Sequence, residues 1–466
     1  MSAGPLSRRS LAAIVAEMDE GVLAICRRLR ERGKRGWVVG GCVRDLLSGR
    51  TVSDWDVATD ARPREVMGAF RRVVPTGLRH GTVTVLWHDE PYEVTTLRGE
   101  GAYSDGRRPD EVRFLDDIEQ DLARRDLTIN AMAIDPIGPA LIDPFGGLDD
   151  LDQRVLRAVG EPLERFTEDG LRILRVARFA ATLRCTVDAA TREAMGDERA
   201  LAVFRQVSAE RVRDEWLKAM VASEPSIAFE LMRETGILEV VAPELHAMVG
   251  CEQNRWHAYD VWQHTMRCLD ACEPDPVLRM AALLHDVAKP QTRALSDKTE
   301  DYTFFGHEVA GARVADRLLR RLRFSNEQRS RIVHVIRHHL ICYTPEWTDA
   351  AVRRWLRRVG SDRVEDLTRL AIADGRSKGL DETASIAAIA ELKQRVQAIE
   401  QAGTALCRRD LAVDGTTVMQ ELSLEPGRVV GQVLAALLEL VTEDPRKNER
   451  ALLLAEARRW LEEQRS

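Results

Sequence analysis

The chain has 466 residues, 44% hydrophobic and 31% charged, with a formal net charge of −7; that is a globular balance with room for roughly two to four domains. It excludes a protein that coats nucleic acid through bulk positive charge, yet leaves scope for a local basic groove among its 68 Lys and Arg. No apolar run reaches the roughly eighteen residues of a membrane span, no secretory signal follows Arg8-Arg9, and the scattered cysteines form no C-x-x-C pair, so reduced thiols in a cytoplasm are expected.

Leu11, Ile14, Val15, Met18, Val22, Ile25 and Leu29 recur at helical spacing, predicting one helix within residues 1–35, ended by Gly33 and Gly36. Trp37 to Val39 reads as a buried strand. Gly40-Gly41 break it, Arg44 and Asp45 lie in a helical segment ending near Gly49, and Asp54-Trp55-Asp56-Val57 reads as a second strand. Residues i and i+2 of a strand share a face, so Asp54 and Asp56 present neighbouring carboxylates. Like charges that close repel unless a cation sits between them. Mg²⁺ takes one or two carboxylates together with phosphate oxygens. Backbone N–H groups at a Gly-Gly turn can approach a triphosphate with no Cβ in the way. An Asp-x-Asp alone is more often a solvated strand. The whole arrangement points to nucleotidyl transfer assisted by two metals.

Further along, 83–87 and 92–96 are β-rich runs joined by a turn at His88-Asp89-Glu90-Pro91. Glu93 is either a third carboxylate at the metal site or an edge-strand residue in water. Residues 98–113 are dominated by glycine, proline and charge and read as a long loop. Arg124, Arg125 and Asp126 then precede an apolar segment; guanidinium forks suit phosphate and sugar oxygens, and Asn130 can bond a hydroxyl. The Gly/Pro cluster 143–150 ends the mixed region. Beyond about residue 155, Ala, Leu, Arg and Glu take over at helical spacing.

The helical part opens with Thr167 as expected N-cap and Glu168 and Asp169 in the first turn. Arg172, Arg175 and Arg178 step along an otherwise apolar helix. Asp169 and Arg172, at i and i+3, form either a local salt bridge or a reader of base edges. In the second case Asp169 accepts from an exocyclic amine and Arg172 donates to the adjacent ring nitrogen. Cytosine and adenine offer that pattern; uracil and guanine would leave both groups unpaired. The basic helix 211–218 lines a groove or faces solvent. Seven of the ten histidines fall between 257 and 339. They form, with Asn254, the His285-Asp286 pair and Asp374, a constellation spread over several helices, as in metal sites of helical bundles. The basic stretches 317–323 and 353–358 precede a helical tail with apolar stripes at 387–396 and 418–440.

The motifs Gly40-Gly41-x-x-Arg44-Asp45, Asp54-x-Asp56, Arg124-Arg125-Asp126-x-Thr-x-Asn130 and Glu168-Asp169-x-x-Arg172 resemble the tRNA nucleotidyltransferase and poly(A) polymerase family of bacterial type. The resemblance implies a polymerase beta-like α/β head at 1–150, and all-α neck, HD and tail domains at 151–250, 251–378 and 379–466. It implies that Asp54 and Asp56 hold catalytic Mg²⁺, with Glu93 a candidate third catalytic carboxylate from its own strand position. Gly40, Gly41, Arg44, Asp45, Arg124, Arg125, Asp126 and Asn130 would grip triphosphate and ribose; Asp169 and Arg172, backed by Arg175 and Arg178, would select CTP and ATP. The partner would be tRNA, receiving C, C and A at its 3′ end. The histidine pattern resembles the HD phosphohydrolase superfamily, implying His264, His285, Asp286 and Asp374 as ligands of an unidentified divalent metal, with His307 and His338 for a second ion. Enzymes adding only the terminal A, poly(A) polymerases, and a metal phosphohydrolase with a nucleotide-binding head are the alternatives; the loop at 98–113 disfavours addition of C alone.

Overall fold

Trp37, Val38 and Val39 are all buried, on both faces of the strand they form. That places β1 (Gly36–Val39) inside a sheet rather than at its edge. The computed structural model describes residues 10–78, 81–100 and 112–464. The other head strands are β2 (Asp56–Thr59), β3 (Val73–Gly77), β4 (Thr82–Trp87), β5 (Glu90–Thr96), β6 (Arg98–Glu100), β7 (Val112–Phe114), β8 (Ala133–Asp135) and β9 (Ala140–Ile142). Seven of them form one sheet in the order β3-β4-β5-β2-β1-β8-β9. β2 runs antiparallel to β1 and parallel to β5, with Asp56 opposite Glu93. The β4–β5 hairpin turns on His88 and Asp89 alone, at φ 49° and 69°. Both residues in the left-handed region mark the two-residue turn whose twist matches its strands.

Four local expectations change. The expected single N-terminal helix is two, Leu11–Ala16 and Glu20–Glu31, because Asp19 caps the second by accepting from the N–H groups of Gly21 and Val22. Asp54 precedes β2 rather than lying in it: β1 pairs only as far as Val38 opposite Val57, and Gly40, at φ +81°, turns the chain away. The ends of the expected loop 98–113 pair as β6 and β7, while 101–111 lie outside the described residues. The expected helix start at Thr167 is the end of another helix, Pro162–Glu168; Asp169 is extended and a new helix runs Leu171–Leu183.

From residue 162 the described residues are mainly helical. Leu171–Leu183 packs against Ala209–Ala219 and Ser226–Glu234 and buries Ile173, Leu174, Val176 and Ala177. One compact unit runs through to His246 and takes in Arg321–Arg323; the other holds 247–320 and 324–466. In the second unit, Val261–Ala271, Pro276–Leu284, Asn326–His338 and Val364–Ser377 pack on one another. A separate apolar cluster around Val418, Val433, Val441 and Leu453 sits among the last helices. No helix among the described residues is long and apolar enough to cross a membrane.

Candidate functional site

Asp56 is the first residue of β2 and stands exposed where the next three residues are buried. Register places Glu93 beside it on the same face of the sheet. Asp54, Asp56 and Glu93 line one hollow, and Asp54 and Asp56 also line a second, larger in polar character, of about 640 Å³. Burial raises the Asp56 carboxyl; Arg125 opposes this, and the carboxylates of Glu93 and Asp54 push it further up. Three acids thus crowd one place with too little positive charge between them. That arrangement fits a hard divalent ion bound through oxygen.

The second cleft gathers most of the other head and neck residues picked out by sequence; Gly40 and Asp45 do not line it. Gly41 opens the helix Gly41–Leu47 on its wall. A Cβ on Gly40 would lie 2.6 Å from Nη1 of Arg125, so only glycine leaves that guanidinium its place. Arg44 is buried, clamps its neighbour Asp45 with Nε and Nη2 at 3.0 and 2.8 Å, and donates from Nη1 to Asn130 at 2.7 Å. Arg124 binds buried Asp121, and Arg125 donates to the Asn130 carbonyl. Asp126 accepts from Arg175 at 2.6 Å, from the Asn130 amide and from the Leu127 N–H. Burial would raise its carboxyl, but Arg175 and these hydrogen bonds hold it well below the usual carboxylate range.

Asp169 and Arg172 sit at the helix break at 169–170, Asp169 half-buried and Arg172 buried. Asp169 accepts from the Leu171 N–H at 3.0 Å and from Arg211 at 2.6 Å. Arg172 is held by Glu168 at 2.5 Å and by the carbonyls of Arg165 and Arg124. Both residues line the cleft that also holds Asp54 and Asp56. Arg178 reaches Glu215 at 2.5 Å, not solvent, and lies 3.8 Å over the ring of Phe179. Arg44 and Arg175 approach the same ring at 5.1 and 5.4 Å. Sequence reasoning did not assign Arg211, Glu215, Lys218 or Phe179 to the site; the signal was the basic helix 211–218, whose Arg211 and Glu215 sit four apart on one face. Nε of Arg125 and Nη1 of Arg211 are buried with no hydrogen-bond partner among the described residues. Such donors are what an anionic, hydrogen-bonding ligand satisfies.

In the other unit, His264, His285, His307 and His339 are all buried. Each Nδ1 faces an oxygen: the carbonyls of Ala282, Phe304 and Ile336 for His285, His307 and His339 at 2.7–2.8 Å, and Ser377 Oγ for His264 at 3.1 Å. A proton fixed on Nδ1 leaves the Nε2 lone pair free. The Nε2 atoms of His264 and His285 stand 3.3 Å apart, as do those of His307 and His339. Two lone pairs at that distance repel unless something positive lies beside them. Asp286 belongs to both groups, His264–His285–Asp286 and Asp286–His307–His339, and Asp374 lies 3.0 Å from His264. Burial lowers His285, but Asp286 and Asp374 push it up to about 10, so without a metal a proton takes the place of a cation there. Burial, then His285, pushes His339 down to about 3. His338, expected as a ligand, is not in the cluster. It ends the helix Asn326–His338 beside His334, ring centroids 4.6 Å apart, and its neighbour His339 turns inward instead.

The comparisons with known proteins agree along the chain. Residues 36–157 match the family described as "Poly A polymerase head domain", 186–249 "Probable RNA and SrmB- binding site of polymerase A", and 293–457 "tRNA nucleotidyltransferase domain 2 putative". The CCA-adding enzyme of Ligilactobacillus salivarius is 31% identical over 442 residues, 95% of this chain and 96% of that one. The chain belongs to the CCA-adding enzyme family. The CCA-adding enzymes of Lactobacillus johnsonii and Bacillus subtilis are 40% and 46% identical over 52% and 47% of this chain. Against these relatives the chain spans 63% and 54% of their length. The solved Bacillus stearothermophilus CCA-adding enzyme in complex with CTP is 26% identical, with a TM-score of 0.70 over 96% of this chain and 100% of that one. The CCA-adding fold also relates this chain to the Thermotoga maritima enzyme complexed with tRNA, at 18% identity and a TM-score of 0.56 over 97% and 99% of the two chains.

Proposed function

We propose that this chain adds C, C and A to the 3′ end of tRNA from CTP and ATP, releasing pyrophosphate, in the cytoplasm. One observation carries the reading: the acid pair Asp54 and Asp56 lines the same cleft as the couple Asp169 and Arg172. In this reaction the terminal 3′-hydroxyl attacks the α-phosphorus in line. Mg²⁺ held by Asp54 and Asp56, with Glu93 beside them, would supply a lowered hydroxyl pKa and charge neutralisation at the phosphates. Arg44, Arg124 and Arg125 balance the remaining triphosphate charge, and the free Nε of Arg125 offers it a hydrogen bond. Asn130, fixed between Arg44 and Asp126, faces the ribose. Asp169 and Arg172 read the base edge; Arg211 and Glu168 hold them in place.

The test uses three tRNAs, lacking the whole CCA end, its last two nucleotides, or only the final A, each with one NTP at a time. Complete CCA addition requires extension of all three, with C on the first two and A on the third. Extension of the last alone makes this a terminal-A enzyme, and long A tails on any primer make it a poly(A) polymerase.

The converging Nε2 atoms favour a second centre, an HD-type site that would hold two divalent ions and supply phosphate-ester hydrolysis. His264, His285, Asp286 and Asp374 would hold one ion, His307 and His339 with Asp286 the other. Lys289, whose ammonium lies 2.7 Å from Asp286 and from Gln253, orients the shared carboxylate.

A further inference from the structure

The head carries another hollow, of about 690 Å³, that shares no lining residue with the two acidic clefts. Its walls are the helix Glu20–Glu31, the segment after the helix Pro63–Ala69, and the β4–β5 turn. Four arginines line it, and they divide into two kinds. Arg28 donates to the Ala69 carbonyl and to Glu31, and Arg72 pairs with Asp89. These two tie the walls together and are neutralised by their acids. Arg27 and Arg71 line the same hollow, are exposed, and make no ion pair or side-chain hydrogen bond among the described residues. Half-buried Phe70 and Trp87 supply its apolar surface. His88 stands at 89° to the Trp87 ring, centroids 5.5 Å apart.

In a chain with a net charge of −7, this is a pocket with two spare guanidiniums over an aromatic wall. Guanidinium forks bind phosphate oxygens in pairs, and aromatic rings accept any base by stacking. A cavity of this size accommodates a nucleotide. We infer that this hollow binds the phosphate of a nucleotide, with Arg27 and Arg71 on the phosphate and Trp87 or Phe70 against the base. The nucleotide comes either from an RNA strand or from free NTP; the chemistry is the same and the experiment separates them.

The test compares the full-length chain with the double variant Arg27→Ala/Arg71→Ala. Both side chains are exposed, so the fold is expected to survive; a melting curve checks this, and Arg27→Lys/Arg71→Lys, which keeps the charge, should restore part of the binding. The readouts are equilibrium binding of tRNA lacking its CCA end at several salt concentrations, and calorimetric stoichiometry with ATP. If RNA is the occupant, the Ala variant binds tRNA roughly tenfold more weakly and its log–log salt slope falls by about 1.4–1.8 for two lost phosphate contacts, with ATP stoichiometry unchanged. If free nucleotide is the occupant, stoichiometry falls from two to one and tRNA binding stays. If tRNA affinity, salt slope and ATP stoichiometry all match the unaltered chain, the inference is wrong. Because each readout is binding rather than turnover, it stands or falls separately from the transfer reaction.

Discussion

At the scale of single residues, Asp126 shows how the cleft lined by Asp54, Asp56 and Asp169 is held in shape. Its carboxylate is buried, bonded to Arg175 and Asn130, and kept well below its ordinary value. A carboxyl depressed in the folded chain contributes stability that is present above its unfolded value, near 3.8, and lost as pH falls through the folded one. Asp126→Asn leaves Arg175 unpaired and should cost about 3 kcal/mol at pH 7, the low end for a broken buried pair because a third of the Arg175 side chain is solvated. Urea unfolding should show the gap between the two proteins narrowing as the pH is lowered from about 5 to about 2. The histidines give a second residue-scale prediction. His339→Ala should reduce the divalent metal retained after dialysis, measured by mass spectrometry, while His338→Ala should leave it unchanged. The sequence made the histidine cluster legible but not which of two adjacent residues faces inward. Periodicity counts positions along a helix; the choice is made at its end, where the Ile336 carbonyl accepts a hydrogen bond from His339 Nδ1–H.

At the scale of elements, the placement of Asp169 and Arg172, proposed to read the base, depends on a break that sequence did not reveal. Thr167-Glu168-Asp169 reads as a helix start, yet Thr167 lies inside Pro162–Glu168 and its hydroxyl bonds back to the Leu163 and Glu164 carbonyls. The cause is non-local: the Phe204 backbone packs against Gly170, where a Cβ would meet the Phe204 Cα and N at 2.6 Å. Gly170→Ala should therefore force Pro162–Glu168 and Leu171–Leu183 apart from the Phe204 segment. The expected cost is about 2 kcal/mol in urea unfolding, with a larger relative loss of discrimination against UTP and GTP than of CTP incorporation itself. Equal loss for all four nucleotides would place the base reader elsewhere. The same blindness explains the N-terminus. Apolar spacing runs unbroken from Ile14 through Met18 to Val22, and it hid the Asp19 cap that splits the helix. The strands were easier. Trp37–Val39 and the β4–β5 hairpin are short, apolar and bounded by turn residues, so their local signals and their tertiary roles agree.

At the scale of the whole molecule, the change in composition near residue 155 was visible, but it is not where the chain divides into compact units. The helices after it carry Asp169, Arg172, Arg175, Arg178 and Arg211, which finish a cleft begun by the sheet, so they fold with the head through His246. The carboxylate site and the histidine cluster each lie wholly within one unit. Removing one set of ligands should then leave the other intact. Asp54→Ala/Asp56→Ala should lower nucleotide transfer by at least about 10³-fold, since it removes the carboxylates proposed to hold the divalent ions that would balance charge at the reacting phosphate. It should leave metal retention at the histidine cluster unchanged. Its melting temperature should not fall, because the variant relieves a crowd of like charges and creates no buried cavity: both side chains are exposed. His285→Ala should do the reverse, depleting metal at the cluster while transfer continues. If instead the acid-pair variant kept transferring nucleotide, or lost its histidine-bound metal as well, the two centres would not be the separate constructions that their positions in the fold describe.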